Sequence, residues 1–132
     1  MKKIMFTKHL EGLDVPGIAA ALQVATVEGA DLCVRDGYPV NPDNIHTALP
    51  EAAKTLAAEG LTIPLVTAPG DFTRPDIDYA ERYYGACSEA GVGHVKLGYW
   101  HWNGDVHYWD FLDQVRGWMD GFQQLSEKTG VK

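Results

Sequence analysis

The sequence is short of several things, and each shortage closes off a class of function. It has only two cysteines, Cys33 and Cys87, far apart and each in an apolar stretch. They read as reduced, buried thiols, with a disulfide or a catalytic thiol as the lesser alternatives. No apolar run is long enough to span a bilayer, and the lysines of MKKIMFTKH have no hydrophobic stretch behind them. Neither a membrane segment nor a signal peptide is therefore read, and the expected location is the cytoplasm. Bases are few: 11 Lys and Arg against 18 Asp and Glu give a formal net charge of -7, and the cations are scattered rather than striped. That argues against a nucleic-acid partner and against an endonuclease. A P-loop, a Rossmann glycine pattern and a Ser-His-Asp order are all missing. What remains is an acidic protein with ordinary globular hydrophobicity, one domain over residues 1–132, suited to small molecules.

A period is present. VEGADLCV, AEGLTIPLV, EAGVGHVKL and KTGVK each end an amphipathic segment on Gly and pass at once into an apolar run. Gly29, Gly60, Gly91 and Gly130 are separated by 31, 31 and 39 residues. Glycine is the favoured left-handed stop of a helix, and a spacing of about thirty is that of a βα unit. The intervening segments read as helices. Asp14 is placed to cap the first, with Pro16 in its first turn; the second starts afresh at Pro50, and the third begins at Pro75. Leu112, Val115, Met119 and Phe122 recur at helical steps in the last. Strands then fall at roughly 2–6, 31–35, 62–66 and 93–97. Strict alternation predicts a parallel sheet of four βα units, and Gly130-Val131-Lys132 reads as the lead-in to a fifth strand, as though the chain were cut off mid-fold. Such units suit either half of a TIM barrel or an open flavodoxin-like sheet; the missing phosphate-binding glycines speak against a nucleotide-binding version of the latter.

Connections from helix to strand are minimal, whereas those from strand to helix are long and carry the unusual chemistry. In parallel α/β folds the carboxyl ends of the strands hold the site. Lys8 and His9 follow the first strand, each as a solvated or hydrogen-bonded residue or as a catalyst. Arg35 ends the second, where its guanidinium would suit an anionic or polyhydroxyl substrate or would pair with Asp36. Asp71 and Arg74 read as loop structure. The stretch LGYWHWNGDVHYWDF, residues 97–111, holds three of the four Trp. Trp100 and Trp102 would stack on a sugar ring or pack over the rim, and His101 and His107 read as ligand or backbone hydrogen-bonders. Six residues apart with no Cys or Glu nearby, these histidines do not space as metal ligands, so no metal site is assigned.

Taken together, EGADLCVRDGYPVNPDN, LPEAAKTLAAEGLTIPLVT, EAGVGHVKLGYW and YWDFLDQVRGWMDGFQQLSEKTGVK resemble the sugar phosphate isomerases/epimerases of the xylose isomerase-like TIM barrel superfamily. The resemblance covers the whole chain but only that family's first four βα units. It implies a parallel (βα)4 half-barrel, completed by dimerisation or by a C-terminal half. It implies metal-assisted proton transfer next to a carbonyl in the intact barrel, with a divalent metal (Mn²⁺, Mg²⁺, Co²⁺ or Zn²⁺) whose ligands, like the catalytic glutamates, come largely from later strands. No catalytic or metal role therefore carries over to Glu11, Asp36, Asp71 or Asp105, and this chain alone is expected to be inactive. The substrate side does carry over: Lys8, His9, Arg35, Thr67 and the loop after Lys96, toward a sugar or sugar phosphate. The alternative is a half-barrel that binds sugars or assembles without catalysis. It would form a homo-oligomer through open sheet edges, two copies closing a ring.

Overall fold

The computed structural model describes residues 1–132 and alternates strand and helix throughout: β1 (Ile4–Phe6), α1 (Val15–Val24), β2 (Gly29–Cys33), α2 (Ile45–Ala58), β3 (Thr62–Thr67), α3 (Ala80–Glu89), β4 (His94–Lys96) and α4 (Tyr108–Thr129). A 3-10 turn, Thr7–Leu10, follows β1. The strands pair in parallel in the order β1-β2-β3-β4. The order never reverses, unlike a flavodoxin-like sheet, so right-handed crossovers leave every helix on the same face. One apolar cluster accordingly joins α1, α2, α3 and α4 to Ala30, Leu32, Val66 and Val95. No helix is long and apolar enough to cross a membrane.

Local sequence explains most of the boundaries. Asp14 caps α1 as expected, its Oδ1 accepting from the Gly17 amide at 2.8 Å, with Pro16 in the first turn. Gly60, Gly91 and Gly130 take the left-handed conformation just past their helices. Gly29 does not. It is the first residue of β2, and the left-handed stop after α1 is instead Thr26 at φ 54°. Gly29 is small for another reason: a Cβ there would lie 2.2 Å from the Thr62 carbonyl oxygen, so β2 and β3 could not approach. The strand therefore begins two residues earlier than its apolar run suggests.

Two helix starts also differ from expectation. α2 begins at Ile45 and runs through Pro50. The proline removes one backbone bond, but the carbonyl it would have used belongs to exposed His46, while Ile45 and Leu49 gain full burial. The third helix begins at Ala80, not Pro75. Pro75 lies against Gly121 of α4, close enough that a Cβ on Gly121 would meet its ring at 2.5 Å. Phe72 anchors the same loop, its buried ring within 5.4 Å of Tyr79, Tyr83 and Phe122.

Pro64 sits inside β3, where the register with β2 slips between Gly29 and Asp31. An irregularity of this kind is one of the few places a sheet accepts proline. At the far edge, Lys132 donates to the Gly93 carbonyl at 2.9 Å and accepts from the Val95 amide at 2.7 Å, with Val131 buried. Those are both bonds of a parallel bridge, so the last residues lie on the outer edge of β4 as a strand would.

Candidate functional site

Alternation along the strands sends every second side chain away from the helices. In β2 Ala30 and Leu32 enter the core, and Asp31 and Cys33 face the other way. In β3 Val66 is turned to the core and Thr67 away from it, and in β4 Val95 is core while Lys96 is exposed. Cys33, Thr67 and Lys96 stand opposite one another in register. This second face has no layer over it: Ile4, His94 and Lys96 are exposed, and Phe6 and Leu65 are half-buried.

At its carboxyl end the polar groups converge. Buried Thr7 uses one hydroxyl to tie β1 to β2, accepting from the Cys33 amide at 2.9 Å and donating to the Asp31 carbonyl at 3.4 Å. Thr67 donates to Asp31 Oδ1 at 2.6 Å. The Asp31 side chain belongs to a residue only 8% exposed, and burial raises its carboxyl above the ordinary value of 3.8. The Thr67 bond and the charges of Lys96 and Arg35 pull the other way without cancelling that rise. Oδ2 makes no hydrogen bond and is not among the buried unpaired atoms, so it opens to the uncovered face. Burial also pushes up the Cys33 thiol, against the opposing charge of Arg35. The Lys96 ammonium lies over two rings, 5.4 Å from the centre of Phe6 and 5.9 Å from Tyr99. Arg35 is fixed through Nε, which donates to the Ala68 carbonyl at 3.0 Å. It also lines a cleft of about 350 Å³ with Asp36, Asp43, Asp71 and Tyr79, none of these acids within ion-pair distance.

Of the residues singled out from sequence, Arg35, Thr67 and Lys96 come together here. Lys8 and His9 lie beside them on the turn after β1, both exposed, with the Lys8 carbonyl accepting from the Tyr38 hydroxyl. The aromatic loop divides in two. Its stem is stitched to the loop after β3 by Gly98 N–H to Phe72 O (3.0 Å) and Tyr99 N–H to Gly70 O (3.2 Å). Trp100 belongs to that stem: half-buried against the core, it donates Nε1–H to the Thr73 carbonyl at 2.8 Å. Its ring packs over the rim. His101, Trp102 and His107 lie beyond the stem and are exposed; Trp102 is held by Nε1–H to Val106 O at 2.9 Å and meets Tyr108 edge-on at 5.5 Å. His101 meets Tyr99, the ring beneath Lys96, at 6.5 Å between centres.

Asp31 was not singled out from sequence, although GADLCV carries a signal: an acid in the middle of a strand-like apolar run is costly to bury unless it faces a polar space. A divalent metal finds no fit among these residues. No three metal-binding side chains converge in a way that could hold one, and the Asp31 carboxylate feels the charges of Lys96 and Arg35. No protein-family model matches the chain, and no curated protein matches it.

Proposed function

We propose that this chain is the amino-terminal half of a sugar or sugar-phosphate isomerase/epimerase-like barrel, an enzyme that moves a proton at the carbon next to a carbonyl. The observation that carries the reading is the combination of an unreversed β1-β2-β3-β4 sheet, helices on one face only, and polar side chains gathered at the carboxyl end of the other. Such a face would suit the inner wall of a barrel, and it supports the reading in that way. In this reading Arg35, Lys96 and Asp31 form part of the pocket wall, and Thr67 holds Asp31 in place. In this reading no side chain of this segment serves as a metal ligand, and none is the acid or the base. The setting proposed is the cytoplasm.

The test is proton exchange. The protein is expressed with all the coding sequence around this segment, supplied with Mn²⁺ or Mg²⁺ in D₂O, and given a panel of ketoses and ketose phosphates. Deuterium entering the carbon beside the carbonyl is expected; no exchange with any of them overturns the reading. The rival, two copies closing a ring, has to place a partner's β1 on the edge of β4 where Lys132 already makes both of its bonds. Light scattering on the isolated chain separates the two, a clean dimer favouring the rival.

A further inference from the structure

The chain has three asparagines, and their surroundings differ. Asn41 is followed by Pro42, which has no amide N–H, and its Oδ1 accepts from the Asp43 and Asn44 amides at 3.0 and 3.3 Å. Asn44 precedes Ile45, the fully buried first residue of α2. Its Oδ1 accepts from the Asn41 amide at 2.9 Å, and its Nδ2 donates to the Pro39 carbonyl at 3.0 Å. Asn103 is followed by Gly104, and every residue from His101 to Asp110 is exposed. Both contacts of the Asn103 carboxamide run to one residue two places on: Oδ1 accepts from the Asp105 amide at 3.1 Å, and Nδ2 donates to the Asp105 carboxylate. Nothing outside the loop holds it. The Gly104 amide makes no hydrogen bond, and a Cβ there would meet nothing within 4 Å. At φ 88° the turn itself favours glycine at this position.

We infer that Asn103–Gly104 is a self-modification site, at which the chain converts Asn103 to aspartate and isoaspartate and thereby releases Trp102. The Gly104 nitrogen, having given up its proton, attacks Asn103 Cγ. The new C–N bond closes a five-membered succinimide, the bond from Cγ to Nδ2 breaks, and Nδ2 leaves as ammonia, taking up one proton in exchange. Water then opens the ring, with no change of oxidation state. Added at Cγ, it restores the main chain with an aspartate side chain; added at the Asn103 main-chain carbonyl carbon, it routes the main chain through Cγ as isoaspartate. Glycine alone presents this nitrogen with no side chain crowding the ring closure. Pro42 offers no nucleophile to Asn41, and the Asn44 carboxamide is tied at both ends to other residues. The bond from Trp102 Nε1–H to the Val106 carbonyl, 2.9 Å, encloses residues 103 to 105. Isoaspartate lengthens that span by one main-chain carbon. Either product also replaces the Nδ2 donor with a carboxylate facing that of Asp105, and like charges repel. Trp102 then loses its bond to Val106 and its edge-on contact with Tyr108 together. This chemistry needs no barrel and no second half.

The test is to hold the purified, ¹⁵N-labelled chain in warm buffer at neutral and at alkaline pH, then digest it and map the peptides by mass spectrometry. The peptide carrying residue 103 should gain the mass difference between O and NH and become a substrate for isoaspartyl methyltransferase. The gain should be faster at the higher pH, because the amide anion is the nucleophile. Asn41 and Asn44 should stay intact over the same period. The Asp36–Gly37 pair can isomerise too, but without a change of mass, so it is not confused with Asn103. Asn103→Gln, whose ring would be six-membered, should show no gain, and Gly104→Ala should slow it about tenfold. In the amide spectrum the Trp102 indole signal should move as the modified fraction grows, and should stay in place in the N103Q chain. An unchanged mass at residue 103, an earlier gain at Asn41 or Asn44, or a gain that persists in N103Q would overturn the modification site. A Trp102 signal indifferent to the modified fraction would overturn the release of Trp102. The amide spectrum of each variant reports whether it folds.

Discussion

Asp31 and Leu32 are neighbours in one strand and live in different solvents. Leu32 is 1% exposed among apolar side chains from the helices, while Asp31 faces a surface that no other layer covers. The same division runs through Val66 and Thr67, and through Val95 and Lys96. One face is therefore packed and the other open, with polar groups gathered at its carboxyl end, and substitutions on the two should differ in size and in kind.

The largest effect belongs to the packed face. Leu32→Ala removes a fully buried side chain and should cost about 2–5 kcal/mol of unfolding free energy, read by urea denaturation. A loss under 1 kcal/mol would mean that the helix-side core is looser than its burial implies. Leu65→Ala, on the half-buried uncovered face, should cost about 1 kcal/mol, because part of that side chain already meets water. Equal costs at the two positions would break the comparison. Asp31→Asn tests kind rather than size. A carboxyl raised in the folded state favours the protonated form, so its contribution is fully present below about pH 3.8 and is lost as pH rises through the higher native value. The Asn variant should lack that loss, and its stability between pH 3.5 and 7 should fall less steeply than that of the parent. Lys96→Gln should change stability least, within about 0.5 kcal/mol, since the side chain is exposed and unpaired.

The alternation of units was legible in the sequence, because helix stops at Gly60, Gly91 and Gly130 and the cap at Asp14 act locally. The misreadings came where a distant neighbour decides. Gly29 looks like another helix stop, and only the 2.2 Å approach of the Thr62 oxygen shows that it serves strand pairing. Pro50 looks like a beginning, and the burial of Ile45 and Leu49 carries the helix through it. Pro75 looks like another, until the contact with Gly121 holds it outside α3. At the site, Arg35, Thr67 and Lys96 were reachable from strand ends alone. Asp31 depends on which face of β2 lies uncovered, and Trp100 on a hydrogen bond to a loop 27 residues away. Strand order decides the first and loop stitching the second, and neither is written in a local pattern.

The stitching of Gly98 and Tyr99 to the loop after β3 has a consequence for how this fold can vary. A Cβ at Gly98 would lie 2.3 Å from the Gly70 oxygen, so the stem closes at that point and the segment from His101 to His107 is carried outside it. That segment is a replaceable cartridge. Its length and composition should be exchangeable between Trp102 and Val106, whose own Nε1–H to carbonyl bond closes on itself, while His107 keeps its place before α4. A lineage seeking a new ligand would find its cheapest variation there, and a designer would graft there first.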